Sequence, residues 1–420
     1  LHQRTTLSNG LRILTETMPH TRSVSISIYV GAGSRYETRK QAGLSHFVEH
    51  LLFKGTSKRP TARAISEAVD GVGGLLNGGT DRELTVYYVK VARPHFELAA
   101  DILLDMLRRP LFEPAEVEKE RSVILEELRS VADSPAQQAE VLLDEIMFPD
   151  QPLGWDVAGF ESTVLSIDRD EALRYLHLQY VPNNIVVSVA GNITHEEVVE
   201  LIDRELCDWE AGEPTSWFPA VGCQQDSRLA LKAKRTEQAH ISMAVRGYSS
   251  RHPDRYAIDL FSILVGEGMS SRLFQELREK RSLCYDVHSY TSKYLDTGSF
   301  NVYAGVDTKK APEAVGAILE ELSRTRDGFP DSELEKAREL TKGRTFLRME
   351  DTRNVSGWMG MQELLFGEVR TVEEVIEDVD KVTTADLQRV AEDILRGDRL
   401  SIAIVGPYRS EKRFHSLLKL

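Results

Sequence analysis

The chain has 420 residues, of which 41% are hydrophobic and 28% charged. That length suffices for two or three globular domains, and the balance excludes a disordered, collagenous or coiled-coil protein. A net charge of −14 argues against a surface built to hold nucleic acid and leaves room for basic or neutral peptides as ligands.

In chain order, the polar start, Leu1 to Gly10, carries no leader segment, although an opening Leu in place of Met is compatible with one already removed; a cytoplasmic location is expected. Residues 11–16 and 24–30 read as strands, and 83–91, rich in Val, Tyr and Thr, as another. Helical periodicity fits 44–53, 62–69, 94–107, 114–131 and 136–147. A helix start at 166–173 precedes the strand 185–191. In the second half, 228–234, 241–246, 285–291 and 300–306 read as strands, and a helix start at 381–387 precedes the strand 400–406. No apolar run approaches the roughly 18 residues needed to cross a bilayer, so no membrane association is expected. Three cysteines (Cys207, Cys223, Cys284) are too few and too scattered for a disulfide framework or a four-cysteine metal site.

The two halves echo each other. Ile167 and Val382 are 215 residues apart, as are Gly191 and Gly406, while Phe112 and Phe329 head similar acidic segments 217 apart. We read a duplicated domain: 1–210 and 228–420, joined by an irregular linker at 211–227. Strands joined directly to strands, with helices arriving in runs, favour an α+β fold over a strictly alternating parallel sheet.

The chemistry concentrates in Gly43-Leu-Ser-His46-Phe-Val-Glu49-His50-Leu-Leu-Phe53. On a helix, His46 and His50 share one face, one turn apart, with Glu49 a step beside them. Two imidazoles so spaced can hold one Zn²⁺, and the carboxylate can take a proton from a water that the ion polarises. This is the inverted His-x-x-Glu-His order. A third ligand is needed, and the 114–131 helix offers one. Its apolar stripe is Val117, Ile124, Leu128 and Val131. At 100° per residue, Glu127 lies about 60° from Ile124 and Glu126 about 160° away. Glu120 and Glu127 share a face flanking the buried stripe, so Glu127 is the better ligand. Glu116, Glu118 and Glu126 read as a solvated acidic face.

His46-Phe-Val-Glu49-His50-Leu-Leu-Phe-Lys-Gly-Thr56, followed 76 residues after His50 by Glu127 within Glu120-Arg-Ser-Val-Ile-Leu-Glu-Glu127, resembles the pitrilysin family of zinc peptidases, which includes insulin-degrading enzyme and the mitochondrial processing peptidase. The resemblance runs over nearly all of the chain, including the Val181-Pro-Asn-Asn184 turn, and is greatest to the short two-domain bacterial members of the processing-peptidase branch. It implies two domains, each a mainly antiparallel sheet with helices packed on it, and one Zn²⁺ per chain. It also implies zinc ligation by His46, His50 and Glu127, with Glu49 as general base and Glu120 supporting the site.

The second half carries no histidine pair at 258–264, where the copy of the motif should fall. What it offers is Ser271 to Tyr285, by periodicity a basic amphipathic helix entering a strand. By resemblance, Arg278 and Tyr285 match an Arg and a Tyr that reach the scissile carbonyl, where a cation and a phenol stabilise oxyanion charge. Relatives also bind peptide backbone by strand addition along the segment matching Asn77-Gly78, where the family commonly shows Asn-Ala. Gly266-Glu-Gly-Met269 reads first as a helix-ending turn and second as a substrate loop.

Longer relatives enclose a chamber with four such domains. A chain with two therefore suggests a homodimer whose active sites are shared, zinc from one copy and Arg278 and Tyr285 from the other. The expected function is hydrolysis of short or unfolded peptides within that chamber. The alternative is a non-catalytic or paralogue-dependent peptide-binding subunit, whose usual mark is loss of zinc residues that are all present here.

Overall fold

The computed structural model describes residues 2–222, 224–418 and 420; Leu1, Cys223 and Lys419 lie outside the described residues. The chain forms two compact units, each built on one sheet with helices against it. The first unit comprises Leu1–Leu128, Asp156–Phe218 and Thr345–Thr371; the second comprises Arg129–Trp155, Pro219–Arg344 and Val372–Leu420.

The first sheet contains β1 (Gln3–Thr6), β2 (Arg12–Thr17), β3 (Ser23–Val30), β4 (Leu75–Thr80), β5 (Thr85–Ala92) and β6 (Ile185–Gly191), in the order β1-β2-β6-β3-β5-β4. Every pairing is antiparallel except β2 with β6. The second contains β7 (Arg228–Ala233), β8 (Gln238–Gly247), β9 (Cys284–Lys293), β10 (Gly298–Asp307) and β11 (Leu400–Gly406), in the order β7-β11-β8-β10-β9, with β7 and β11 parallel. Setting β1 aside, the two orders are the same, strand for strand, including the place of the parallel pair. The echoes in the sequence are therefore echoes of topology: Gly191 closes β6 and Gly406 closes β11.

Strand β3, Ser-Val-Ser-Ile-Ser-Ile-Tyr-Val, shows how the first unit is layered. Val24, Ile26, Ile28 and Val30 point into the main core with Phe47, Leu51 and Leu103. The alternate residues would ordinarily face water in an antiparallel sheet. Here they are buried too, because the helix Thr352–Phe366, from the second half of the sequence, lies across them. Ser25 and Thr352 hydroxyls are 2.9 Å apart, Ser27 and Ser356 hydroxyls 2.9 Å, and Ser188 Oγ donates to Ser356 O at 2.7 Å. Around these bonds Leu14, Tyr29, Val186, Val355 and Met359 form a second apolar layer.

The second unit repeats the arrangement with the loan reversed. Its sheet is covered on the corresponding face by Pro135–Met147, from the first half of the sequence, whose Leu143 and Met147 pack with Phe148, Ala244 and Ala403. Each unit thus includes a helical segment from the other half of the sequence.

Two elements have little signal in the sequence. Strand β1 is polar, and His195 pins it by bonding Thr5 on β1 and Thr15 on β2, each at 2.8 Å. Strand β4 is Leu-Leu-Asn-Gly-Gly-Thr, poor in β-formers, and forms the edge of the sheet beside β5. No helix among the described residues is long and apolar enough to cross a membrane.

The closest approach of the Thr352–Phe366 helix to the sheet is at Gly360, where a Cβ would stand 2.4 Å from Tyr29 Cδ2 and 3.0 Å from Ser188 Cβ. A Gly360→Val chain should lose roughly 1–3 kcal/mol of unfolding free energy through overpacking, measured by denaturant titration. A value within error of wild type would mean that the helix is not held at this distance.

Candidate metal centre

The helix Leu44–Leu52 owes its placement to both its start and its apolar face. Gly43 precedes it at φ 94, a left-handed conformation that favours glycine, and a Cβ there would stand 2.5 Å from Ala158 O. The first amides are satisfied by Glu37, whose two oxygens accept from Gly43 N–H at 2.8 Å and Ser45 N–H at 2.6 Å. Glu37 is only 1% exposed, and burial pushes its carboxyl up to about 7 despite those bonds. Phe47, Val48, Leu51 and Leu52 are fully buried in the main core. With that face committed, His46 and His50 have to emerge on the other side.

There they meet the helix Pro114–Asp133, whose Ile124 is fully buried. His46 Nε2 and His50 Nε2 are 3.2 Å apart, and Glu127 Oε2 is 3.8 Å from the first and 3.7 Å from the second. Tetrahedral ligands at ~2.0–2.1 Å from zinc are separated by about 3.3 Å. The triangle fits such an ion in size, and two imidazoles with one carboxylate are a donor set suited to it. His46, His50 and Glu127 are the one group of histidine, cysteine and acidic side chains among the described residues so placed. Glu126, next in sequence, is exposed. Burial, reinforced by His50, pushes His46 down to about 4, so its ring is neutral and offers a lone pair at neutral pH.

Glu120 lies behind the pair, 4% exposed, its Oε2 3.1 Å from His50 Nδ1 and its Oε1 2.7 Å from Lys54 Nζ. Burial works against its ionised form, but the bonds from His50 and Lys54 outweigh it and hold the carboxyl below the usual range. With Nδ1–H donated to Glu120, the His50 lone pair sits on Nε2, facing His46 and Glu127.

Glu49, 9% exposed, accepts from Thr80 Oγ1 at 3.1 Å through Oε2. Burial raises its carboxyl, with His50 and Thr80 opposing. Thr80 ends the edge strand β4. Two residues earlier, a Cβ on Gly78 would stand 3.2 Å from Glu49 Oε1 and 3.0 Å from Phe53 Cζ, so glycine gives this carboxylate its clearance. Asn77 is exposed, and its Oδ1 accepts from Gly78 N–H at 2.8 Å.

Arg278 and Tyr285 come together in the second unit. The expected amphipathic helix is in fact a seven-residue π-helix, Phe274–Lys280, followed by Ser282 at φ 49 and then β9. The Arg278 guanidinium carbon lies 4.8 Å from the Phe274 ring centre and 4.9 Å from that of Tyr285, which is 74% exposed. Sequence reasoning did not single out Glu37, Thr80 or Lys54. The first two are distant in sequence from their partners, and only Lys54, four residues after His50, carried a positional hint.

The Glu37 cap generates a pH-dependent prediction. A carboxyl that titrates near 7 when folded, against an ordinary 4.5, binds its proton more tightly in the folded state. Its contribution to stability is fully present below about 4.5 and lost as pH rises through 7. Unfolding free energies measured from pH 4 to 8 should show wild type declining relative to Glu37→Gln over that window; parallel curves would refute the assignment.

The model of the insulinase family (peptidase family M16) matches residues 12–159, and that of the peptidase M16 inactive domain matches residues 166–341. An uncharacterized zinc protease of Streptomyces coelicolor is 38% identical over 420 residues, covering 98% of this chain and 90% of its own length. One of Bacillus subtilis is 34% identical over 409 residues, covering 96% and 98%. Among solved structures, a protease from Helicobacter pylori shares the fold with a TM-score of 0.90 at 22% identity, over 97% of this chain and 100% of that one. A chain of complex III from Candida albicans does so with a TM-score of 0.85 at 20% identity, over 100% of both. With family models matched in both halves and long relatives above 30% identity, the chain belongs to the insulinase family of peptidases, family M16, the pitrilysin family that its residues resemble.

Proposed function

We propose that the protein is a zinc-dependent endopeptidase acting on short or unfolded peptides. The observation that carries this reading is the triangle of His46 Nε2, His50 Nε2 and Glu127 Oε2, with edges of 3.2, 3.8 and 3.7 Å, beside the buried carboxylate of Glu49. The names of the relatives, zinc proteases, support it.

One zinc ion per chain, held by His46, His50 and Glu127, supplies Lewis acidity toward a peptide carbonyl and the attacking water. Glu49 takes the water's proton and passes it to the leaving amine. Thr80 occupies Glu49 Oε2, which leaves Oε1 for that transfer. Glu120 holds His50 in the tautomer that faces the ion. The peptide lies along the β4 edge at Asn77 and Gly78 as an added strand, its backbone polar groups paired with those of the edge.

Arg278 and Tyr285 donate to the carbonyl oxygen as charge builds on it. They belong to the unit without the metal residues, and we assign them to the site of a second copy, so that a homodimer carries two shared sites.

Cleavage of a peptide library, run alongside metal analysis, tests the chemistry. Glu49→Gln should keep its zinc and lose roughly 10²–10⁴-fold in kcat. Glu127→Ala should lose zinc, and Glu126→Ala should retain it. Wild type that holds zinc yet cuts nothing would favour a peptide-binding subunit instead. For the shared site, mixing inactive Glu49→Gln and Arg278→Ala chains under exchange should restore about one quarter of wild-type activity, since half the dimers then carry one intact site of two. A mixture no better than its components would place both sets of residues within one chain.

A further inference from the structure

The Lys54-Gly55-Thr56 segment after the metal-site helix has no part in the chemistry above, yet its backbone is fixed closely. Thr56 is fully buried, its hydroxyl bonded to Asp105 and accepting from Arg59 N–H at 2.9 Å. Gly55 has φ 147, and a Cβ there would stand 2.5 Å from Pro60 O. Lys54 N–H donates to Leu51 O at 3.1 Å, continuing the end of the helix. The turn so held aims Lys54 back at Glu120, with Nζ 2.7 Å from Oε1.

Glu120 therefore stands between two partners, each taking one oxygen: Lys54 on Oε1 and His50 Nδ1 on Oε2. The Lys54 side chain is 25% exposed and that of Glu120 5%, so the pair is far less screened than a surface ion pair. A carboxylate this buried is costly without a countercharge. With Oε1 occupied, the oxygen left for His50 is fixed in position. Without Lys54 the carboxylate is free to turn toward water, and the imidazole loses the acceptor that orients it.

We propose that Lys54 is a positioning residue of the metal centre, acting through Glu120 to hold His50 with Nε2 toward the ion. The inference rests on the zinc reading above and adds a residue outside its ligands and base.

The test is zinc affinity of the full chain, measured by competition with a fluorescent chelator, for wild type, Lys54→Met, Lys54→Arg, Glu120→Gln and the Lys54→Met/Glu120→Gln double variant. Lys54→Met should weaken zinc binding about 10–100-fold, as should Glu120→Gln. The double variant should be no weaker than the worse single one, because both act on one contact. Lys54→Arg should recover most of the loss. In ¹⁵N-histidine spectra, the His50 Nδ1–H signature should disappear in Lys54→Met and return in Lys54→Arg. Should Lys54→Met not fold, Lys54→Gln gives the same reading with the stem and a polar tip kept. Zinc affinity within twofold of wild type in a folded Lys54→Met or Lys54→Gln chain, or additive losses in the double variant, would overturn the role of Lys54 while leaving the metal site standing. Wild type that binds no zinc would overturn both.

Discussion

The metal centre depends on a helix of nine residues that cannot rotate. Four fully buried apolar side chains fix the azimuth of Leu44–Leu52, and Glu37 with Gly43 fixes where it begins. Turning the helix enough to misplace the imidazoles would expose that apolar face and unpair the capped amides. Burying a large apolar side chain contributes about 1.5–3 kcal/mol, so the orientation is set by several such terms together. The ligands themselves contribute little to it. This is why two half-buried histidines, whose mutual contact is not favourable in itself, are held with their nitrogens 3.2 Å apart.

Around this helix the polar residues form a series, each correcting the cost of the one before. Burying His50 is compensated by Glu120, and burying Glu120 by Lys54. Glu49 is half of a similar arrangement, with Thr80 on one oxygen and the space above Gly78 beside the other. Because Thr80 and Gly78 lie on the edge strand, the strand and the carboxylate share their position. A displacement of one is felt by the other.

The layered architecture follows from an exchange. Each sheet has one face rich in Val, Ile and Leu and another where serine, alanine and tyrosine alternate with them. The small residues permit a helix to approach closely, and in each unit that helix comes from the other half of the sequence. Hydroxyl pairs such as Ser27 with Ser356 replace the water those side chains would otherwise bind. A surface that reads as solvated along β3 is therefore interior.

Much of this protein is written locally. The duplication, the strands rich in Val and Ile, and the two histidines one turn apart depend on periodicities and spacings that neighbours in sequence impose. The two-sheet, sheet-and-helix fold agrees with that reading. Glu127 was reachable as well, since its angle from the buried Ile124 follows from helix geometry alone. What the sequence could not determine depends on segments far apart in the chain. The exchanged helices are ordinary amphipathic stretches whose partners are set by complementary surfaces more than 160 residues away, as Ser188 and Ser356 illustrate. Strand β1 exists because His195 bonds it, and β4 because β5 offers an open edge, not because either has strong strand propensity. Glu37 and Thr80 become important only once folding brings a carboxylate to a helix start and a hydroxyl to Glu49. Hydrogen bonds and close packing are properties of atoms in space, and a one-dimensional pattern records them only when the contacting residues are also near in the chain.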